Sequence, residues 1–78
     1  MNKVTIYSTP SCHFCHMAKE FFTAHNVPFQ DFNVAEDNAK RQEMITKSGQ
    51  MGVPVIQIGD ELIIGFNKPV IMDLLGMK

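Results

Sequence analysis

The sequence predicts a small α/β protein with a four-stranded mixed sheet and three helices, in the order β-α-β-α-β-β-α. Two observations indicate this fold class. In the first half of the chain, segments of β-favouring residues alternate with segments whose apolar residues recur at helical spacing. In the second half, two apolar runs are joined by a short glycine turn, which indicates an antiparallel hairpin. A chain of 78 residues is too short for two useful hydrophobic cores, so we expect one domain over residues 1–78.

The first half predicts a parallel pair of strands, each followed by a helix. Residues 3–7 and 29–34 carry β-branched and aromatic residues and are predicted strands. Residues 36–49 place acidic residues first, basic residues later and a glycine last, the polarity expected of a helix against its dipole. Residues 12–26 predict the first helix, with Cys12 at its start. The positions that recur there at helical spacing are Phe14, Ala18, Phe21, Phe22 and His25.

The second half predicts the hairpin and a last helix. The apolar runs 53–58 and 61–64 are joined by Gly59-Asp60, and glycine first in a two-residue loop suits a type II′ turn. Asn67 is a suitable N-cap for the last helix, which has a proline in its first turn. The residues expected to be buried in this helix are Val70, Ile71, Leu74 and Leu75.

Composition favours a folded protein without a polyanionic partner. Apolar residues make up 45% of the chain, and the net charge of −1 comes from scattered acidic and basic residues. No basic face stands out, so we expect neither nucleic acid nor membrane as a partner. The first ten residues lack the apolar segment of a secretory signal, and Met1 is followed almost at once by a strand. We therefore expect a cytoplasmic protein, where a paired C-x-x-C is more often catalytic or metal-binding than a structural disulfide.

The segment "SCHFCHMAK" contains that C-x-x-C, followed by a histidine. The spacing fits a redox dithiol, a haem attachment site with His16 as ligand, or half of a zinc site. At a helix start, Cys12 is the nucleophile favoured as thiolate, and Cys15, one turn deeper, would resolve the mixed disulfide. The chain has no second Cys or Cys/His pair at zinc-finger spacing, and haem attachment is usual in exported chains. Lys19, further along the helix, has two interpretations, a charge that raises the local potential near the thiolates and a solvated charge on the helix surface, and we favour the second.

The chain resembles glutaredoxins, small members of the thioredoxin fold, over nearly its whole length. "VTIYSTPSCHFCHMAKEFF" looks like the family's first strand, active-site loop and helix, and "GVPVIQI" is similar to its Thr-Val-Pro segment. The resemblance implies a thioredoxin-like fold and thiol-disulfide exchange through Cys12 and Cys15. It also implies a cis peptide between Val53 and Pro54 beside the sulfurs, with the backbone of Val53 pairing with an extended substrate.

The resemblance also implies which residues contact the substrate and which class of molecule reduces the protein. His13 stands where the family usually has proline, Phe14 takes the tyrosine position, and Gly65-Phe66-Asn67 replaces the glycine pair that binds glutathione. A Gly-Phe here looks more like the redoxins of this family that serve ribonucleotide reductase and take electrons from thioredoxin reductase. The residues implied to contact substrate are His13, Phe14, Val53, Pro54, Gly65, Phe66 and Asn67.

We expect a monomer that acts on disulfide-containing proteins. Its electron donor would be glutathione or a thioredoxin reductase, and it would hold no tightly bound cofactor and no metal, with the Cys12–Cys15 disulfide as its redox group. The alternative is a non-catalytic protein whose two cysteines hold a metal or an iron–sulfur cluster, which would need additional ligands from outside the motif.

Overall fold

The computed structural model describes residues 3–77 and has the predicted order of elements. Met1, which entered the prediction of location, lies outside the described residues. The third strand begins two residues later than predicted, because Pro54 has no N–H to donate to a sheet ladder. The elements are β1 (Val4–Ser8), α1 (His13–Ala24), β2 (Gln30–Asn33), α2 (Asn38–Ser48), β3 (Val55–Ile58), β4 (Glu61–Ile64) and α3 (Lys68–Leu74).

The four strands form one mixed sheet in the order β2-β1-β3-β4. Strand β1 pairs parallel with β2 and antiparallel with β3, and β3 pairs antiparallel with β4. Gly59, at the turn between β3 and β4, has a φ of +60°, which a glycine adopts without steric cost and which the turn requires. The predicted parallel pair and hairpin are therefore confirmed. The active-site loop between β1 and α1 leaves the sheet next to the centre, because β1 is an inner strand.

The two faces of the sheet are covered by different helices. On β1 the side chains alternate, so Ile6 and Ser8 face α1 whereas Tyr7 faces α2. The cluster on the first face joins the sheet to α1 and α3 and comprises Val4, Ile6, Ala18, Phe21, Phe22, Ile56, Ile58, Ile63 and Ile71. The cluster on the second face joins the sheet to α2 and comprises Tyr7, Val34, Met44 and Val55.

Phe14 and Val70 lie nearer to solvent than the sequence pattern indicated, whereas His25 is exposed, as expected for a histidine on the outer face of α1. Phe14 is 55% exposed, because Cys15, the next residue, takes the inward position of the first turn. His25 follows the end of α1 and is exposed, with its ring 4.3 Å from that of Phe21. Val70 was expected to be buried but is 42% exposed, because α3 spans only seven residues and only Ile71 faces fully into the core.

Leu74 and Leu75, at the end of α3, are partly buried against the first cluster. Among residues 3–77, no helix is both long and apolar enough to cross a membrane.

Candidate active site

Cys12 lies at the N-terminus of α1 as its N-cap residue, with an extended backbone. Its Sγ accepts a hydrogen bond from the backbone N–H of Cys15 at 3.1 Å, and its own N–H donates to the Thr9 carbonyl at 3.3 Å. The side chain is half-buried, so the sulfur is within reach of solvent. The sulfur thus lies at the end of α1 where backbone N–H groups are free to donate. The predicted helix-start position of Cys12 is thus what the structure shows.

Cys15 lies one turn into the same helix and has a different environment. It is fully buried, at 0% exposure. Burial is the larger of two causes that raise the pKa of the Cys15 thiol from 9.0 to about 12, and a side-chain hydrogen bond with Cys12 is the second. Cys15 is therefore a protonated, shielded thiol near neutral pH, while Cys12 is the accessible one. The two cysteines carry no disulfide in this structure.

The segment before β3 contains the peptide that the family resemblance implied. The bond between Val53 and Pro54 is cis, as expected. Pro54 is fully buried, and its carbonyl accepts a hydrogen bond from the Gly65 N–H at 2.8 Å. Val53 is half-buried. The hydrogen bond between Gly65 and Pro54 joins the start of β3 to the loop between β4 and α3. Three of the predicted substrate residues, Val53, Pro54 and Gly65, are therefore held together.

The remaining predicted substrate residues are placed less uniformly. His13 and Phe14 are exposed at the start of α1, and their rings are 5.5 Å apart edge to face. Phe66 is half-buried, with its ring 5.9 Å from that of Phe21. Asn67 is the N-cap of α3, and its Oδ1 accepts from the Val70 N–H at 3.5 Å. The cap accounts for Asn67 without any ligand.

Two contacts near the cysteines were not predicted from the sequence. The Nε2 atom of His16 is 2.7 Å from the Pro10 carbonyl, so this histidine connects α1 to the loop before Cys12. Lys19, interpreted above as a solvated charge, instead forms an ion pair with Asp31, with Nζ 3.0 Å from Oδ2. The periodicity of the sequence gives no signal for either contact, since the His16 ring contacts a backbone carbonyl in the preceding loop and Lys19 pairs with a side chain of another element.

The described part of the chain offers little to a metal ion. Among residues 3–77, no group of three or more His, Cys, Asp or Glu side chains lies together as candidate ligands. The side chains of the C-x-x-C segment would therefore supply at most part of a coordination shell.

Comparison with known proteins agrees with the fold and with the family resemblance. The glutaredoxin family model matches residues 4–63. A glutaredoxin-like 8.6 kDa protein encoded in a rubredoxin operon of Clostridium pasteurianum is 47% identical over 72 residues, 92% of this chain and 96% of that protein. Glutaredoxin 3 of Escherichia coli strain K12 is 37% identical over 76 residues, 97% of this chain and 92% of that protein.

A solved structure extends the comparison to three dimensions. The glutaredoxin-like NrdH-redoxin of Escherichia coli, described as having a thioredoxin-like activity profile, superposes with a TM-score of 0.80 at 28% identity. The match covers 92% of this chain and 93% of that one. On the family model, the relatives and the sheet topology together, this chain belongs to the glutaredoxin family and is a thiol-disulfide oxidoreductase with a thioredoxin-like fold.

Proposed function

We propose that this protein reduces disulfides of other proteins by dithiol exchange, with Cys12 as nucleophile and Cys15 as resolving thiol. The observation that carries the proposal is the unequal placement of the two sulfurs on one helical turn. Cys12 is accessible and receives the Cys15 N–H at 3.1 Å, whereas Cys15 is buried directly behind it. Residues i and i+3 lie on the same face of a helix, which allows the two sulfurs to form a disulfide.

The reaction has two exchange steps. The Cys12 thiolate attacks one sulfur of the substrate disulfide, forming a mixed disulfide and releasing the first substrate thiolate. Cys15 then loses its proton to a base in solution and attacks Cys12 Sγ, which breaks the mixed disulfide and releases the second substrate thiolate. The substrate has gained two electrons and the protein carries the Cys12–Cys15 disulfide.

The substrate groove would lie around Cys12, between the start of α1 and the cis peptide. Phe14 is an exposed aromatic side chain beside the nucleophile, suited to apolar contact with a protein client. Val53 would offer its backbone to an extended client segment, next to Pro54. His13, Gly65 and Phe66 would complete the rim, whereas the Asn67 side chain is engaged in the helix cap. An exposed His13 next to the nucleophile has a modest effect on the reduction potential, because solvent screens its charge.

As electron donor we propose a thioredoxin reductase, which transfers two electrons from NADPH to the Cys12–Cys15 disulfide. The Gly65-Phe66 sequence and the engagement of Asn67 in a helix cap leave few groups for the γ-glutamyl end of glutathione. The relatives differ on this point, since one is a glutaredoxin and another has a thioredoxin-like activity profile. We further propose a cytoplasmic, monomeric, single-domain protein without a tightly bound cofactor.

The experiment compares reduction of the oxidised protein by glutathione and by NADPH with thioredoxin reductase, under matched conditions. Turnover with the reductase and little with glutathione supports the proposal. Efficient reduction by glutathione alone overturns the choice of donor. A Cys12→Ser variant that still reduces insulin disulfides at the wild-type rate would overturn the mechanism itself.

The alternative of a metal or iron–sulfur protein is tested on the same preparation. The protein would bind such a group only with ligands from a second molecule, since residues 3–77 bring no third ligand to the cysteines. Visible absorbance or stoichiometric iron or zinc in the purified protein would favour this alternative over dithiol exchange.

A further inference from the structure

The resolving step makes a demand on Cys15 that its own environment opposes. The attacking group has to be a thiolate, but burial and the hydrogen bond with Cys12 raise the pKa of Cys15 to about 12. A positive charge near Cys15 would make the thiolate easier to form. Lys19 follows Cys15 by four residues on α1, which places the two on one face of the helix with Cβ atoms about 5–6 Å apart. Two effects lower the pKa of Cys15 against the larger effect of burial: a backbone hydrogen bond with Thr9 and, more weakly, the charge of Lys19.

Lys19 is fixed by side chains from two strands. Its Nζ atom is 3.0 Å from Asp31 Oδ2 on β2 and 3.4 Å from Ser8 Oγ on β1. The Ser8 hydroxyl donates in turn to Asp31 Oδ1 at 2.6 Å. Ser8 is only 2% exposed, and Lys19 keeps a quarter of its side-chain surface in solvent. We call these three residues the Lys19 network.

The position of the network distinguishes it from the ion pairs on α2. Lys40 and Glu43 are 3.3 Å apart, and Glu43 also accepts from the buried Tyr7 hydroxyl, but this group lies on the other face of the sheet from Cys15. The Lys19 network lies on the face of the sheet that α1 covers and joins side chains from α1, β1 and β2. A flexible lysine held by two acceptors spends less of its time in other rotamers, so its charge stays on the side of α1 that carries Cys15.

We propose that Lys19 is a positioning residue for the second exchange step: Asp31 and Ser8 fix its ammonium on the side of α1 that carries Cys15, where its positive charge favours the thiolate that attacks the mixed disulfide. The inference rests on the proposed function, because it takes Cys15 as the resolving thiol. Lys19 exchanges no proton or electron with the substrate in this scheme.

A neutral aromatic disulfide separates the two steps. With 4,4′-dithiodipyridine, Cys12 attacks first and releases one thiopyridone, leaving a Cys12–thiopyridine mixed disulfide. Cys15 then attacks Cys12 Sγ and releases the second thiopyridone, and the protein gains its internal disulfide. In stopped flow the first phase depends on reagent concentration and the second does not. A neutral reagent keeps the charge of Lys19 from altering the encounter itself.

Substitutions of Lys19, Asp31 and the control residue Lys40 test the proposal. We expect Lys19→Met to slow the second phase by about three- to tenfold, corresponding to about half to one pKa unit, while the first phase changes less than twofold. Lys19→Arg should keep the second phase near the wild-type rate, because arginine carries the same positive charge and can donate to both Asp31 and Ser8. Lys40→Met is the matched control and should leave both phases unchanged. Asp31→Asn should not slow the second phase, because its amide oxygen still accepts from Lys19 and a negative charge is gone.

Two outcomes would overturn the inference. One is a second phase in Lys19→Met within twofold of the wild-type protein. The other is an equal slowing by Lys19→Met and Asp31→Asn, which would assign the network a purely structural role. If Lys19→Met fails to fold, Lys19→Gln replaces it. A wild-type protein without any second phase would instead refute dithiol exchange, so failure of the proposed function is distinguishable from failure of this inference.

Discussion

Cys15 should be nearly inert to alkylation in the folded protein, although Cys12 lies only three residues away. Burial, with the Cys12 hydrogen bond, raises the pKa of Cys15 from 9.0 to about 12. At about pH 8 the thiolate fraction then falls from about one-tenth to about one ten-thousandth. Because the thiolate is the reactive form, this alone slows alkylation by about a thousandfold. The closed packing around Cys15 slows it further, since the sulfur has no exposed surface.

The assay uses two variants that each keep one cysteine, Cys12→Ser and Cys15→Ser. Iodoacetamide is added at about pH 8, and the mass of the protein is followed with time. Cys12→Ser also removes the Cys12 thiol that helps to raise the pKa of Cys15, so the difference should be smaller than the thousandfold given above. We therefore expect Cys15 to react at least about a hundredfold more slowly than Cys12. In urea both variants should react at the rate of a free thiol. Similar rates in the folded state, or a difference that persists in urea, would refute the reasoning.

The remaining predictions concern stability and one binding assignment. The unfolded chain deprotonates Cys15 above pH 9.0 but the native state does so only near 12, so the unfolding free energy should fall as pH rises through this window. Cys15→Ala should make that fall shallower by up to about 1.4 kcal/mol per pH unit, measured by urea titration at pH 9 and 10. Phe22 is 0% exposed, so Phe22→Ala should lower the unfolding free energy by about 3–5 kcal/mol. Phe14 is 55% exposed, so Phe14→Ala should lower it by under about 1 kcal/mol but should slow turnover of protein clients. Equal losses of stability in the two variants would contradict the buried and exposed environments assigned to these residues. Asn67→Ala should cost about 1 kcal/mol through the lost helix cap and leave disulfide reduction unchanged, whereas a raised KM for clients or glutathione would show that Asn67 binds them.

The order and pairing of the elements followed from local signals. The hairpin at Gly59-Asp60 and the capping of α3 by Asn67 are both encoded by residues adjacent in sequence, and both occur as predicted. The position of Cys12 at a helix start was predictable for the same reason. The cis bond before Pro54 came only from the family resemblance, because a trans proline is the commoner state in any single sequence.

The errors share a physical origin in tertiary packing. Two helical stripes offset by one residue satisfy the same periodicity, so the sequence alone did not show that Cys15 rather than Phe14 faces inward. Val70 was predicted to be buried but is exposed, because the hydrophobic pattern does not show how many side chains of a seven-residue helix contact the sheet. Lys19 was interpreted as solvated because its partner Asp31 is twelve residues away and belongs to another element, strand β2.

The exposure of only one of the two sulfurs also governs how client and donor meet the protein. In the reduced protein Cys15 has no surface through which another molecule can reach it. On the proposed mechanism, an incoming thiol would therefore attack the oxidised protein at Cys12. Client and reductant must therefore take turns at a single sulfur atom, and the protein should follow ping-pong kinetics. Double-reciprocal plots at several donor concentrations should give parallel lines, and excess reduced client should compete with the donor for the oxidised form. On the proposed mechanism, the burial of Cys15 would make this chain a shuttle between two partners that never occupy it together.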